Sequence, residues 1–352
     1  IEGFLAILED RLMEFKEIEF RGMTLTEEDL IQLFYYKFTE TPLLKRMDAV
    51  KDYFIDSWET LKGRNISEDD QEMLQMKFDK MYTTKDIYTI YNWMLDDCGC
   101  DLLPEVPYEK RKLPYEDVFP MLYLKYRLSG GNSTHKNIKH LVIDEMQDYT
   151  YLQYTILESL FHCRMTILGD RAQTLDTKQQ DVLRFLPKLL GREIRTIEIK
   201  KSYRNTLEIA RYAEKVSGVS DLELLDRHGK EVVEKTFNTD TELLDELVCH
   251  LKCPGDFETA ALITTTEEEA FDLSRLLKLR GINVSYVDRN SSAFKKGLTV
   301  TTFYLAKGLE FDQVFALRGA KENPLKNQAE YICATRALHE LYVYEIADSL
   351  SK

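Results

Sequence analysis

The sequence predicts an α/β fold in which parallel sheets follow a helical segment. Three observations predict it. From about residue 138 onward, short apolar runs such as "HLVI", "TAALIT" and "QVFAL" alternate with amphipathic stretches, the order of parallel strands joined by crossover helices. Those runs lack polar alternation, as do strands of a sheet covered on both faces. Residues 1–128, by contrast, carry the three-and-four spacing of helices.

The chain opens on "IEGFLAILEDRLMEF", an amphipathic helix without the basic start and small-residue cleavage site of a signal peptide. Apolar residues then recur at helical spacing at Leu30, Leu33, Phe34 and Phe38, and again at Met73, Met76 and Phe78. Thr26 before "EEDLIQLF" and Ser67 before "EDDQEMLQMKF" are the predicted caps. Pro104, Pro107 and Pro114 mark a loop, and "YEDVFPMLYLKYRL" resumes helix. Turn residues crowd into "SGGNSTHKN" (129–137), the predicted boundary. Beyond it the pattern predicts strand "IKHLVIDE", helix "YLQYTILESLF", strand "RMTILGD", a helix over 178–190 and strand "TIEIK". A hairpin-like stretch, "LLDRHGKEVVEKTF", and a helix come next. Strand "TAALITTT" and helix "EEEAFDLSRLLKLRG" precede the last four strands, "NVSYVD", "LTVTTF", "QVFALR" and "LYVYEI".

A chain of 352 residues has room for two or three domains. It contains no run of eighteen apolar residues, so no membrane-spanning helix and no membrane partner are expected. The formal charge of −14 is uneven: residues 1–120 carry −12 and the remainder −2. Such an acidic segment is a poor surface for tracking a phosphate backbone. It reads as a solvated face or as a match for a basic protein surface. Six cysteines without a disulfide-like framework suit a reducing cytosol, so a cytoplasmic location is expected. "CGC" (Cys98, Cys100) has no second pair at metal-ligand spacing, and "CHLKC" (Cys249, His250, Cys253) puts both thiols on one helix face. Buried, inert thiols are expected at both places.

Chemistry gathers at strand ends, where open parallel sheets bind ligands at the carboxyl edge. Asp144 and Glu145 end one strand, and Gly169 and Asp170 end the next. Paired acids there can hold a hydrated Mg²⁺ and orient a water, as phosphoanhydride hydrolysis requires. Asp144 would hold the metal through water, Glu145 would polarise the attacking water, and Gln173 would sense the terminal phosphate. Arg204 and Arg336 are the candidate cations for transition-state charge. Tyr203, beside Arg204, offers a ring to stack on a base. "TTFYLAKGLEF" adds Thr302, Lys307, Gly308 and Glu310 after a strand, where glycine permits close backbone approach.

Together these stretches resemble the superfamily 1 helicases of the UvrD/Rep type. "DEMQD" (144–148) resembles motif II, "GDRAQ" (169–173) motif III, "SYRN" (202–205) motif IV, "TFYLAKGLEF" (302–311) motif V and "ATRALHEL" (334–341) motif VI. The five stand in family order over about 136–352. The resemblance implies RecA-like motor domains, ATP and Mg²⁺ as cofactors, and ATP-driven movement on, or displacement of, DNA. It makes Glu145, Gln173, Arg204 and Arg336 catalytic and Asp144 the metal residue. Tyr203, Gly308 and Glu310 would bind the nucleotide, and Asp148, Thr302, Tyr304 and Lys307 would contact nucleic acid or couple it to hydrolysis. It assigns 1–128 to the end of a helical insertion in the first motor domain. Residues 129–200 would complete that domain, and 201–352 would form the second.

"YEDVFPMLYLKYRL" ahead of "IKHLVIDEMQD" resembles the helicase IV and HelD branch, whose Gram-positive members bind and recycle RNA polymerase. The 103 residues from Arg204 to Lys307 leave no room for the large helical insertion of UvrD and Rep, which HelD-like proteins also lack. Two motifs depart from the family. Thr174 and Leu175 stand where a serine and a base-stacking aromatic follow motif III, and Tyr304 replaces the motif V histidine. Both put stepping along single-stranded DNA in doubt, so weak binding of single-stranded DNA is expected. No G-x-x-x-x-G-K-[ST] occurs, and the look-alike "GGNSTHKN" has no Gly-Lys and precedes a strand. With no initial Met either, the chain reads as the C-terminal part of a longer motor, inactive alone. The alternatives are a polymerase-recycling factor in which unwinding is incidental and a helicase-like pseudo-enzyme subunit.

Overall fold

The computed structural model describes residues 1–131, 137–175, 182–191, 194–218, 223–252, 257–291, 296–318 and 324–347. The chain divides into two compact units, Ile1–Leu141 with Tyr151–Met165, and Val142–Thr150 with Thr166–Lys352. The look-alike loop and Cys253 lie wholly or partly outside the described residues.

The first unit is built mainly of helices: α1 (Glu2–Leu12), α2 (Glu27–Gln32), α3 (Leu43–Lys62), α4 (Glu68–Asp79), α5 (Ile87–Asp97), α6 (Tyr115–Ser129) and α7 (Tyr151–Leu160). Both predicted caps form. Thr26 and Asp29 make a reciprocal capping box, and the Ser67 hydroxyl accepts from the amide of Asp70. Gly63 ends α3 in the left-handed region that L side chains avoid. The helices bury one apolar cluster that includes Leu8, Phe34, Phe54, Trp58, Phe78 and Ile90. A short antiparallel hairpin, β1 (Ile18–Phe20) with β2 (Met23–Leu25), interrupts the expected helical run. It turns at Arg21 and Gly22, both at positive φ. Three-residue strands are too brief to register as a two-residue period.

The second unit is parallel α/β. Its sheet has the order β7 (Val233–Phe237), β12 (Ala337–Ile346), β11 (Phe311–Arg318), β8 (Thr259–Thr264), β10 (Gly297–Thr302) and β9 (Ser285–Tyr286). Every pairing in it is parallel. The period of two explains the wholly apolar strands. Ala261, Ile263, Val314, Leu341 and Val343 face α9 (Leu207–Ser217) and α12 (Lys326–Arg336) in one cluster. Leu262, Phe315, Tyr342 and Tyr344 join α10 (Asp240–Lys252) and α11 (Glu267–Leu279) in another. The expected fold class, α/β with a parallel sheet after a helical segment, is therefore what the chain adopts. Helix α12 passes into β12 with no residue between them, Arg336 ending one and Ala337 starting the other.

Several local expectations need correction. β3 (His140–Ile143) and β4 (Arg164–Ile167) form as expected, but as a sheet of two strands. "TIEIK" makes no strand: Ile197 and Ile199 are 70% and 79% exposed. A strand needs a cross-strand partner, and among the described residues only its last member has one, the Lys200 carbonyl accepting from the amide of Glu223. Only Lys201–Ser202 (β5) pairs, in parallel, with Glu223–Leu224 (β6). The stretch 224–237 is no hairpin, because β6 joins β5 while β7 joins β12. The helix expected over 178–190 is described as α8 (Val182–Leu189). Cys98, Cys100 and Cys249 are exposed rather than buried, the first two lying just past the last residue of α5. Helix α7 packs on α6, while the turns at 146–148 and 171–173 pack on each other and the latter on α12.

Candidate functional site

The site lies within the second unit and begins at two strand ends. Asp144 follows β3, and its Oδ1 accepts from the amide of Glu145 at 2.8 Å. Glu145 sits at φ 52°, a left-handed conformation uncommon for a non-glycine residue. It turns the chain into a 3₁₀ turn, Met146–Asp148, and its carboxylate accepts from the side-chain Nε2 of Gln147. The Gln147 Oε1 in turn accepts from the amide of Asp170 at 3.1 Å, tying the end of β3 to the end of β4. Gly169 is needed here, since a Cβ would stand 2.5–2.6 Å from Gln147 and Met146 atoms. The two acid-bearing loops are thus held side by side, as expected.

The turn 171–173 then meets α12. Asp170 accepts from the Ala172 amide (2.9 Å), from Gln173 Nε2 (2.9 Å) and from the Tyr331 hydroxyl (2.9 Å). Gln173, only 8% exposed, accepts through Oε1 from Arg336 Nη2 at 3.1 Å. Arg336 is 3% exposed and also donates to the Leu309 carbonyl and the Thr335 hydroxyl. Its partners are neutral oxygens, and no ion pair to it occurs among the described residues. Burial, then the Arg204 charge, lower its pKa, while the charges of Glu145, Glu310 and Asp170 oppose this.

Arg204 follows β5, and its Nε pairs with Glu310 Oε1 at 2.8 Å. Next to it, Asn205 donates to the carbonyls of Ala334 (3.2 Å) and Ala337 (2.6 Å), fixing this segment against the end of α12. Tyr203 is 63% exposed, with Lys201 Nζ 5.5 Å from its ring centroid. These groups border an open cleft of about 570 Å³ lined by Asp170, Gln173, Tyr203, Arg204, Glu310 and Tyr331 among others.

Five of the predicted residues, Gln173, Tyr203, Arg204, Glu310 and Arg336, therefore converge, with Asp144 and Glu145 on the adjoining loop. Motif V spreads out instead. Thr302 lies level with Thr264 at the carboxyl end of the sheet, whereas Glu310 precedes β11 at the amino end. Residues 303–310 run back between them. Thr302 is fully buried, and the Tyr304 hydroxyl donates to Glu267 beside Arg289. Lys307, its side chain 9% exposed, binds both oxygens of Asp148 at 2.6 and 2.8 Å. Gly308 adopts φ +80° with open space at its Cβ position, so backbone conformation rather than close approach calls for glycine. Tyr331, Thr335 and Asn205 were not among the predicted site residues. A tyrosine and a threonine beside Ile332, Cys333 and Ala334 on a helix read as core, and only Asn205, adjoining Arg204, carried a sequence signal.

No protein-family model matches the chain, and no curated protein does. Among solved structures, it is similar to the C-terminal domain of a possible DNA helicase from Lactobacillus plantarum WCFS1. The identity is 25% over 41% of this chain and 88% of that one, with a TM-score of 0.34. It is also similar to the PRRSV helicase, at 16% identity over 75% of this chain and 46% of that one (TM-score 0.36). A third similarity is to arterivirus nonstructural protein 10, a helicase in complex with DNA, at 17% identity over 34% of this chain and 29% of that one (TM-score 0.25). Scores this low carry no functional weight; the side chains do. No helix among the described residues is long and apolar enough to cross a membrane.

Proposed function

We propose that the chain supplies the hydrolytic side of the nucleotide site in an ATP-dependent nucleic-acid motor of the UvrD-like type. The observation that carries this reading is Arg336. A buried guanidinium with no carboxylate partner among the described residues is costly by itself and suits an incoming polyanion. Arg204 beside it, the exposed Tyr203 ring and the strand-end acids complete a set fitted to a nucleoside triphosphate with Mg²⁺. When bound, that group would supply the phosphoanhydride and the metal's charge. The chain's own residues then divide the work. Asp144 would hold the hydrated Mg²⁺, Glu145 would orient and polarise a water, and Gln173 would sense the terminal phosphate. Arg204 and Arg336 would neutralise charge developing on the transferred group. Tyr203 would stack on the base, Gly308 would let the backbone turn, and Glu310 would hold Arg204 in place. Asp148 and Lys307, with Thr302 and Tyr304 behind them, would couple the site to nucleic acid.

The sequence holds no G-x-x-x-x-G-K-[ST] to cradle the β- and γ-phosphates. Residues 1–352 by themselves are therefore expected to show no useful ATP turnover. Mg²⁺-dependent turnover by this chain that Glu145→Gln abolishes would overturn that expectation. In the full-length protein, Glu145→Gln should abolish hydrolysis and spare ATP binding, since Asp144 keeps its charge. Unchanged hydrolysis in that variant would remove the function proposed here.

A second reading draws on Leu175 and Tyr304. Leu175 packs against the core rather than offering a stacking ring, and Tyr304 is engaged by Glu267 and Arg289. Both favour a motor whose main task is displacing nucleic acid from a protein partner, in the manner of HelD-like factors on RNA polymerase. Weak single-stranded DNA binding by residues 1–352 is the corresponding expectation.

A further inference from the structure

Tyr331 stands five residues before Arg336 on α12. Its ring packs in the core cluster with Ile332 and Ala334 and is 8% exposed. Its hydroxyl reaches Asp170 Oδ2, the same oxygen that accepts from Gln173 Nε2. The other end of that amide accepts from Arg336. Tyr331, Asp170, Gln173 and Arg336 thus form a closed circuit in which α12 grips the 170–173 turn at two points.

An amide has a donor end and an acceptor end, which trade places on a half rotation. Arg336 can only donate, so it needs the oxygen. An ionised carboxylate can only accept, so Asp170 needs the NH₂. The two demands agree only while Asp170 is held where the NH₂ end can reach it. Its Oδ1 is committed to the Ala172 amide, which leaves the Tyr331 hydroxyl to hold Oδ2. Burial, followed by the Asp170 charge, pushes the Tyr331 pKa up, so that hydroxyl stays a donor.

We propose that Tyr331 is a positioning residue, fixing through Asp170 which end of the Gln173 amide meets Arg336. The proposal rests on the nucleotide site proposed above, in which Gln173 and Arg336 face the terminal phosphate.

Tyr331→Phe keeps the buried ring and removes only the hydroxyl. The first readout needs no activity. In residues 1–352 without nucleotide, the Gln173 side-chain amide, assigned by its loss in Gln173→Asn, should show two well-separated NH₂ proton signals. Tyr331→Phe and Asp170→Asn should each move them toward the values of a free amide. An unchanged Gln173 amide in Tyr331→Phe overturns the proposal. The second readout is hydrolysis by the full-length protein. Tyr331→Phe should lower kcat about ten-fold, the loss expected of one hydrogen bond to a charged group. The KM for ATP should stay within about two-fold, because binding is not what the hydroxyl serves. A raised KM with kcat unchanged would also overturn it. If the wild-type full-length protein shows no turnover, the proposed function falls and the amide signals alone decide whether Tyr331 positions Gln173.

Discussion

Arg336 shows how a single residue changes meaning between sequence and structure. On an amphipathic helix an arginine reads as a solvated face, yet here the side chain is enclosed and its hydrogen-bond partners among the described residues are neutral. Removing it should cost hydrolysis more than binding. Arg336→Ala and Arg204→Ala in the full-length protein should each raise the barrier by ~3 kcal/mol, as lost transition-state donors do. Single-turnover rates check this, and a normal rate in either variant would strike that arginine from the catalytic set. A different residue reports on pH. His228 is paired with Glu208 and Asp226. The Glu208 hydrogen bond, then the Asp226 charge, raise its pKa above the ordinary 6.5, while His228 lowers that of Glu208 to about 2. The His228 contribution to stability is complete below 6.5 and lost as pH rises through its raised value. The Glu208 contribution is present above 4.5 and lost as pH falls toward 2. Thermal melts of wild type and His228→Gln should therefore differ most between those limits and converge at alkaline pH. A constant difference across the alkaline range would refute the pairing.

At the scale of elements, most of the fold was legible. Capped helices and wholly apolar strands announce themselves through local chemistry, as Thr26, Ser67 and the run 259–264 do. "TIEIK" misled because its apolar alternation says nothing about whether a partner strand exists. The site was legible where its groups share short motifs. It was not legible where a long connection carries them apart, as between Thr302 and Glu310, or where tertiary contact gives a core tyrosine a polar partner. Asn205 joins two such motifs by capping the carbonyls at the α12 terminus. Asn205→Ala should take a donor from both carbonyls, Ala334 keeping the amide of Ala337, and cost ~1–3 kcal/mol. Denaturant unfolding of the second unit measures it, and a loss near zero would mean that other groups satisfy the carbonyls.

For the whole molecule, charge distribution leads. Most of the −14 lies in residues 1–120, so a polyanion has little reason to settle on that segment. Residues 1–352 should bind single-stranded DNA weakly, with an affinity that falls steeply as salt is raised. Tight binding at physiological ionic strength would favour a conventional unwinding helicase. If RNA polymerase is the partner, full-length protein should retain core polymerase at low salt, and deletion of 1–128 should weaken retention. No retention would sink the partner, and retention unaffected by the deletion would free the acidic segment from that role.

The direct passage of α12 into β12 has a mechanical side. Arg336 is the last residue of a helix and the neighbour of the first residue of a ten-residue strand next to the edge of the sheet. A loop between them would act as a soft spring and absorb a small displacement of the guanidinium. Without one, the linkage is stiff. Any shift that draws Arg336 toward an anion loads β12 along its length, and through its ladders with β7 and β11 it loads the whole sheet.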